Sequence, residues 1–347
     1  PLTVWYPALN PKGVAESITY SGQYPPVAPD IPFNGHALLD AQLDAQHGPY
    51  PLVLFSHGST GSRYSSLYLV EHLASYGFVV MSADHTGDTV ANSNDKGAFL
   101  QSHATRPRDI SREIDFAEVL TAAGGDLDGM IDMKHVAVTG HSSGGWTALL
   151  AAGAQRDYEA LNAWCAKYPD DFFTCGNLKG QEKTLADLLG LGAVPSGLWP
   201  SVGDPRVTTI VLFAPGNTPA FGKKGLGVIK VPTMLVTGSG DGFLPFDIYA
   251  KQSYQDLGSA IKDTVVFDQG GHMLFGNGCS AVPWMATPDM FWVCADSVWD
   301  SDRAHDLINH FTTAFLLDIL KSDKEAAKAL APDAVSFPGI DYKAQGF

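Results

Sequence analysis

The run with the most chemical content is Gly140-His141-Ser142-Ser143-Gly144-Gly145. It follows an apolar stretch, His135–Thr139, and precedes a small-residue stretch, Gly144–Ala154, that reads as a helix. A G-x-S-x-G run is short and common by itself. Between a strand and a helix it becomes an elbow that lifts the serine hydroxyl clear of the sheet. Ser142 must take a strained turn there, and Gly140 and Gly144 must let neighbouring backbone pass close. The helix that follows directs its N-terminus at developing negative charge. The competing explanation is an ordinary Gly/Ser turn at a helix start.

A serine hydroxyl is a poor nucleophile without a base. Among the eleven histidines, His272 in Asp268-Gln-Gly-Gly-His272 stands out. It lies just past the last predicted strand, where a loop can carry it over Ser142. His57 and His135 sit at strand ends, and His305 and His310 fall in a C-terminal helix. The acid expected to orient His272 is Asp241, in Thr-Gly-Ser-Gly-Asp241-Gly after the strand Val231–Thr237. The C-terminal edge of a parallel sheet is where functional groups collect. Asp268 is the first rival and Asp247 a weaker one. The oxyanion donors expected are the backbone N–H of Ser143 and one from the loop after Pro51–Ser56, at Ser59 or Thr60. With a serine rather than a carboxylate as nucleophile, the chemistry is acyl transfer to water through an acyl-enzyme.

The elements that must position these groups are short apolar runs. They are Pro51–Ser56, Phe78–Ala83, His135–Thr139, Val207–Phe213, Val231–Thr237 and Thr264–Phe267, with a further short strand at Leu2–Tyr6. Helical spacing appears at Ser66–Tyr76, ended by Gly77, and at Leu307–Leu320. Pro107–Ala123 reads as a helix opened by its proline, with Ile110, Ile114, Val119 and Leu120 on the apolar face. Apolar strands alternating with helices predict an α/β fold, a mostly parallel sheet covered on both faces. The alternation stops between Ala154 and Val207. The expectation is one catalytic domain over residues 1–347 with a cap-like insertion at 155–206. Trp164, Trp199, Phe172, Phe173, Leu188 and Leu189 of that insertion are candidates for an apolar substrate pocket, as are Phe275 and Trp284 of the loop after His272. Phe291 and Trp292 lie in the same loop. For each aromatic the competing role is packing, which is the role expected for Trp146.

Composition narrows the class. The chain is 45% hydrophobic and 17% charged, with a net charge of −15. Disorder needs the opposite balance. The charge opposes nucleic acid and anionic surfaces, and no apolar run is long enough to span a membrane. Asp126, Asp128 and Asp132 lack the calcium-loop pattern and read as solvated turn residues, so neither metal nor cofactor is expected. Four cysteines allow three pairings. Cys165–Cys175 with Cys279–Cys294 is the simplest, because each loop closes on itself; four free thiols are the alternative. Disulfides favour a secreted or periplasmic setting. The chain opens at Pro1 without an initiator Met, which fits a processed N-terminus.

Several stretches together resemble a known group. Leu2–Pro7 (LTVWYP), Pro51–Gly58 (PLVLFSHG), Tyr68–His85 (YLVEHLASYGFVVMSADH) and the elbow at Ser142 are similar to the α/β-hydrolases. More narrowly they resemble the dienelactone-hydrolase-like group that includes the platelet-activating-factor acetylhydrolases. The order Ser142, Asp241, His272 is the α/β-hydrolase order. The resemblance implies a metal-independent carboxylic-ester hydrolase, often secreted, favouring short to medium acyl groups. It extends the candidate substrates to polyesters, which some bacterial relatives cleave. Two departures matter. The segment Phe213-Ala-Pro-Gly-Asn217 holds no carboxylate, where the mammalian acetylhydrolases look to place their acid. Ser142 also replaces the cysteine of true dienelactone hydrolases. The rival functions are an amidase, peptidase or thioesterase with the same triad, and a binding protein of hydrolase fold.

Overall fold

The computed structural model describes residues 1–24, 27–92, 95 and 97–346. Eight strands of the described residues form one sheet: β1 (Leu2–Trp5), β2 (Tyr50–Ser56), β3 (Val79–Ala83), β4 (Ile131–His141), β5 (Val207–Phe213), β6 (Thr233–Gly238), β7 (Lys262–Phe267) and β8 (Ile340–Gln345). Their order is β1-β3-β2-β4-β5-β6-β7-β8. The inner neighbours pair in parallel, and the two edge strands are antiparallel.

The apolar runs form buried strands because helices cover both faces. The helices used below are α1 (Leu67–Ser75), α2 (Ala98–Thr121), α3 (Ser143–Ala151), α4 (Tyr158–Lys167), α5 (Glu182–Leu188) and α6 (Ser301–Lys321). On one face Val53 and Phe55 of β2 pack with Leu69 and Leu73 of α1 and Phe311 and Phe315 of α6. On the other, Leu52 and Leu54 pack with Ile110 and Ile114 of α2 and Leu149 and Leu150 of α3. Successive residues of one strand therefore feed opposite cores, as a two-residue period requires. Among the described residues no helix is long and apolar enough to cross a membrane.

Three elements differ from the sequence expectations. Helix α2 begins at Ala98 rather than at Pro107, which lies inside it. Proline has no N–H to give the carbonyl of His103, four residues back. The buried Arg156, from the insertion, donates from Nη2 to that carbonyl at 2.6 Å. A charged donor from elsewhere in the chain lets the helix run through its proline. Val119 is solvent-exposed, and Ala117 takes its expected place on the buried face. Strand β8 was not expected, because Ile340-Asp-Tyr-Lys-Ala-Gln345 alternates half-buried and exposed residues rather than forming an apolar run. A hairpin of Ile18–Tyr24 with Val27–Gly35 also lay hidden in a Pro- and Gly-rich stretch.

The insertion is helical. Asp157 caps α4 by accepting from the N–H of Ala160 at 3.0 Å. Its core is formed by Tyr158, Leu161, Leu185 and Trp199.

Candidate active site

The elbow is built at the junction of β4 and α3. Ser142 has φ 57° and ψ −115°, a conformation costing about 1–3 kcal/mol that persists only where surroundings impose it. The surroundings here are backbone. The Ser142 N–H donates to the Phe213 carbonyl at 2.9 Å, and its own carbonyl accepts from Gly216 at 3.0 Å and Trp146 at 3.1 Å. A Cβ on Gly144 would overlap the carbonyl of Ser56, and one on Gly140 would overlap the backbone of Gly144. The two glycines are thus spacers that let β2, β4 and α3 converge beneath the serine.

His272 opens a short 3₁₀ turn after β7, and Asp241 follows β6. Nδ1 of His272 lies 2.7 Å from Oδ2 of Asp241, in a pair with side chains 9% and 0% exposed. The other oxygen, Oδ1, accepts from the backbone N–H groups of Phe243 and Leu244, each at 2.8 Å. This leaves the Asp241 carboxylate fixed at both ends. Asp268 instead accepts from the Ser239 hydroxyl at 3.1 Å, and Asp247 pairs with Lys251 on the surface. Neither rival touches His272. A further histidine, missed in the sequence, supports it from the side. Nε2 of His141 lies 3.0 Å from the carbonyl of His272, and the two rings are 4.7 Å apart. Burial, and secondarily the neighbouring His272, hold His141 well below the ordinary imidazole range, so it is neutral.

The loop after β2 distinguishes the two expected oxyanion donors. The N–H of Thr60 donates to Oδ1 of Asp88 at 2.8 Å and is therefore committed. The N–H of Ser59 has no acceptor among the described residues, while its hydroxyl donates to the same Asp88 oxygen at 3.2 Å. Ser143 is the first residue of α3, so its N–H is among those a helix start leaves unpaired.

Ser142, His272, Ser59 and Thr60 line one cavity of about 450 Å³. Its apolar wall is Phe173, Phe243, Met273, Met290, Trp292 and Val293. Of the pocket residues expected from sequence, Phe173 is part of that wall, and Trp164, Trp199, Phe275 and Trp284 are not. Trp164 lines a separate cavity beside α4, its Nε1 donating to Asp171 at 2.7 Å. Trp199 is fully buried and stacks on Tyr158 at 4.8 Å, filling the insertion's own core. Phe275 is buried among Phe213 and Phe267 of the sheet. Trp284 reaches away and donates to the Pro32 carbonyl at 3.0 Å. Size does not separate the two roles, because large aromatics fill cores as readily as they line pockets. Leu188 is exposed and Leu189 packs on the insertion's core. Trp146 is buried as expected, against His103 and Phe221.

Phe173, expected from sequence as a pocket residue, and Trp292, named there as a residue of the loop after His272, border the site, joined by Phe243. Phe172, Phe173, Phe243 and Trp292 form a chain of ring contacts at 5.8, 5.3 and 6.2 Å. All four rings are exposed, and Phe243 also lies 5.4 Å from His272. Two disulfides bracket the chain. Cys165–Cys175 closes the loop bearing Phe172 and Phe173, and Cys279–Cys294 closes the loop bearing Trp292. Two of the acidic residues act locally: Asp128, before β4, accepts from the Gly124 N–H, and Asp132, at the start of β4, pairs with His135.

Comparison with known proteins agrees with this architecture. The family model described as platelet-activating factor acetylhydrolase, isoform II, matches residues 27–111. A cutinase, est1, of Thermobifida alba is 32% identical over 122 residues, which are 34% of this chain and 37% of that protein. Cutinase 2 of Thermobifida cellulosilytica is 31% identical over 122 residues, 34% of this chain and 42% of that protein. The chain thus spans less than half the length of the curated relatives it matches. A ferulic acid esterase from Streptomyces cinnamoneus superposes with a TM-score of 0.55 at 20% identity, covering 88% of this chain and 77% of that one. The proteins found similar are thus named as an acetylhydrolase family, cutinases and a ferulic acid esterase, and the fold of this chain is an α/β-hydrolase fold.

Proposed function

We propose that this chain is a carboxylic-ester hydrolase working through Ser142, His272 and Asp241. The observation that carries the proposal is the strained Ser142 in one cavity with His272, whose Nδ1 is held by a buried, doubly anchored Asp241. In this mechanism His272 takes the Ser142 proton at Nε2 as Oγ attacks the ester carbonyl. The N–H groups of Ser143 and Ser59 receive the oxyanion. Collapse of the tetrahedral species expels the alcohol, which leaves with the proton from His272, and an acyl-Ser142 forms. A water deprotonated by His272 then attacks, the acid departs, and Oγ recovers its proton. Asp241 holds the imidazole orientation and stabilises its cationic form throughout.

The apolar wall of the cavity suits a short to medium acyl group, and its exposed rings, continued by Phe172, offer contact for a longer or polymeric ester. The insertion at 155–206, which supplies Phe173, serves as part of a cap within a single catalytic domain. Two disulfides in one chain suit an oxidising, secreted or periplasmic environment. The names of the similar cutinases and of the ferulic acid esterase agree with ester cleavage. The test is turnover of p-nitrophenyl acetate, butyrate, octanoate and palmitate beside matched p-nitroanilides. Rapid cleavage of the short esters with anilides at least about 10³-fold slower is expected, since amide leaving groups need more help. Comparable anilide turnover would instead support an amidase.

A further inference from the structure

Beneath the loop Ser56–Thr60 lies a buried polar cluster that the proposed chemistry does not use. Its centre is Arg106, projecting from α2 and only 1% exposed. Nε donates to Oδ2 of Asp88 at 2.9 Å, and Nη2 lies 2.8 Å from the same oxygen. Nη1 donates to the carbonyl of His57 at 2.7 Å, and Nη2 to the carbonyl of Gly58 at 3.1 Å. Burying an ion pair is costly, and as a source of stability it is a weak device. The carboxylate is nonetheless ionised. Burial alone would raise it, but Arg106, with the Thr60 N–H, outweighs burial and holds Asp88 below the usual carboxylate range.

The arrangement fixes one peptide plane. The Gly58 carbonyl and the Ser59 N–H belong to the same planar trans unit, so they point in opposite directions. The Gly58 carbonyl is drawn inward by Arg106, by Nδ1 of His57 at 2.7 Å and by the Gly61 N–H at 3.1 Å. The Ser59 N–H must then face away from the cluster, and Gly58 and Ser59 both line the cavity that holds Ser142. Asp88 secures the far side of the loop through the Thr60 N–H and the Ser59 hydroxyl. The histidines are locked as well. Nε2 of His57 accepts from the His85 N–H at 3.0 Å, and His85 bridges Ser56 Oγ at 2.8 Å and Asp109 at 3.0 Å. Burial, then Arg106, keeps both rings neutral, with His57 pushed down to about 3.

We propose that Arg106 and Asp88 are positioning residues that clamp the Gly58–Ser59 peptide so that its N–H is aimed at the oxyanion. This inference rests on the ester-hydrolase mechanism above. Neither residue touches substrate. Their contribution is preorganisation, and losing it should resemble losing one oxyanion donor.

The experiment uses Arg106→Lys, Arg106→Met and Asp88→Asn in the full chain. Lysine retains the charge but lacks the fork that reaches two carbonyls. With p-nitrophenyl butyrate, kcat is expected to fall about 10-fold in Arg106→Lys and about 10²-fold or more in Arg106→Met, with KM within about threefold. The affinity for a trifluoromethyl ketone, which forms a tetrahedral adduct, should fall in step with kcat/KM. If Arg106→Met does not fold, Arg106→Lys and Asp88→Asn decide by the same criteria. A kcat within about threefold of wild type in folded variants would overturn the clamp, as would a loss carried by KM with unchanged ketone affinity. Hydrogen exchange across residues 57–61 reads the loop without any ester. Faster exchange in Arg106→Lys is expected, and unchanged exchange counts against the clamp. Wild-type protein that cleaves no ester would overturn the hydrolase proposal instead.

Discussion

Nδ1 of His272 and Oδ2 of Asp241 stand 2.7 Å apart, and the free oxygen of Asp241 is held by two backbone N–H groups. A carboxylate anchored in this way can fix the imidazole's tautomer without moving. Asp241→Asn keeps the shape but reverses the hydrogen-bond polarity toward Nδ1. A loss in kcat of about 10³- to 10⁴-fold is expected on the scale of such changes in triads. Asp268→Asn, whose partner is Ser239, should change kcat by less than about threefold. Steady-state kinetics of both variants settles the acid, and a larger loss from Asp268→Asn would reverse the assignment.

The exposed rings make a prediction about acyl length. Trp292 lines the apolar wall and touches Phe243, not His272. Trp292→Ala should raise KM for p-nitrophenyl octanoate about tenfold, the scale of losing part of an aromatic contact. KM for the acetate should stay within about twofold. Equal effects on both esters would show that the ring does not contact the acyl chain.

The Cys279–Cys294 bond closes a loop between positions 15 apart. Removing both thiols by Cys279→Ser with Cys294→Ser frees that loop in the unfolded chain, and about 3 kcal/mol of stability should be lost. Urea or thermal unfolding measures it. Unchanged stability would mean that the loop's own packing, not the crosslink, holds it.

Asp263 gives stability a pH dependence of unusual sign. Burial pushes its carboxyl up to about 7, against a lowering from the hydrogen bond that Tyr342 donates at 3.0 Å. The folded state therefore keeps a proton that the unfolded state has lost between about pH 4 and pH 7. This contribution is present at low pH and disappears as pH rises through the folded value. Asp263→Asn does not titrate, so relative to wild type it should gain about 2 to 3 kcal/mol between pH 5 and pH 8. Parallel stability curves for the two proteins over that range would contradict the shift.

The groups proposed as catalytic were legible because their signals are local. Gly140 and Gly144 mark a backbone crossing, and Asp241 and His272 each sit just past an apolar strand. The inner strands were legible for the same reason, since β2, β6 and β7 are buried at every position. Strand β8 was not, because an edge strand needs no continuous apolar run. Nor was the start of α2, because Pro107 is accommodated by Arg156, a partner far away in sequence. Of the pocket, Phe173 was legible, but other aromatics misled for a related reason. Residue type says that Trp199 or Phe275 will be buried, but only tertiary packing says against what. Arg106 and Asp88 look in sequence like two ordinary surface charges, and only the fold shows them meeting under the loop Ser56–Thr60.

The central claim is that Ser142 is the nucleophile, and one measurement tests it most directly. Wild type and Ser142→Ala are treated with a fluorophosphonate, the intact mass is read, and p-nitrophenyl butyrate hydrolysis is followed on the same samples. The account predicts one adduct per chain on the peptide containing Ser142 in wild type, with activity lost in parallel. It predicts no adduct in Ser142→Ala and a kcat/KM lower by about 10³-fold or more. Labelling at another residue, or near-wild-type turnover in Ser142→Ala, would contradict it.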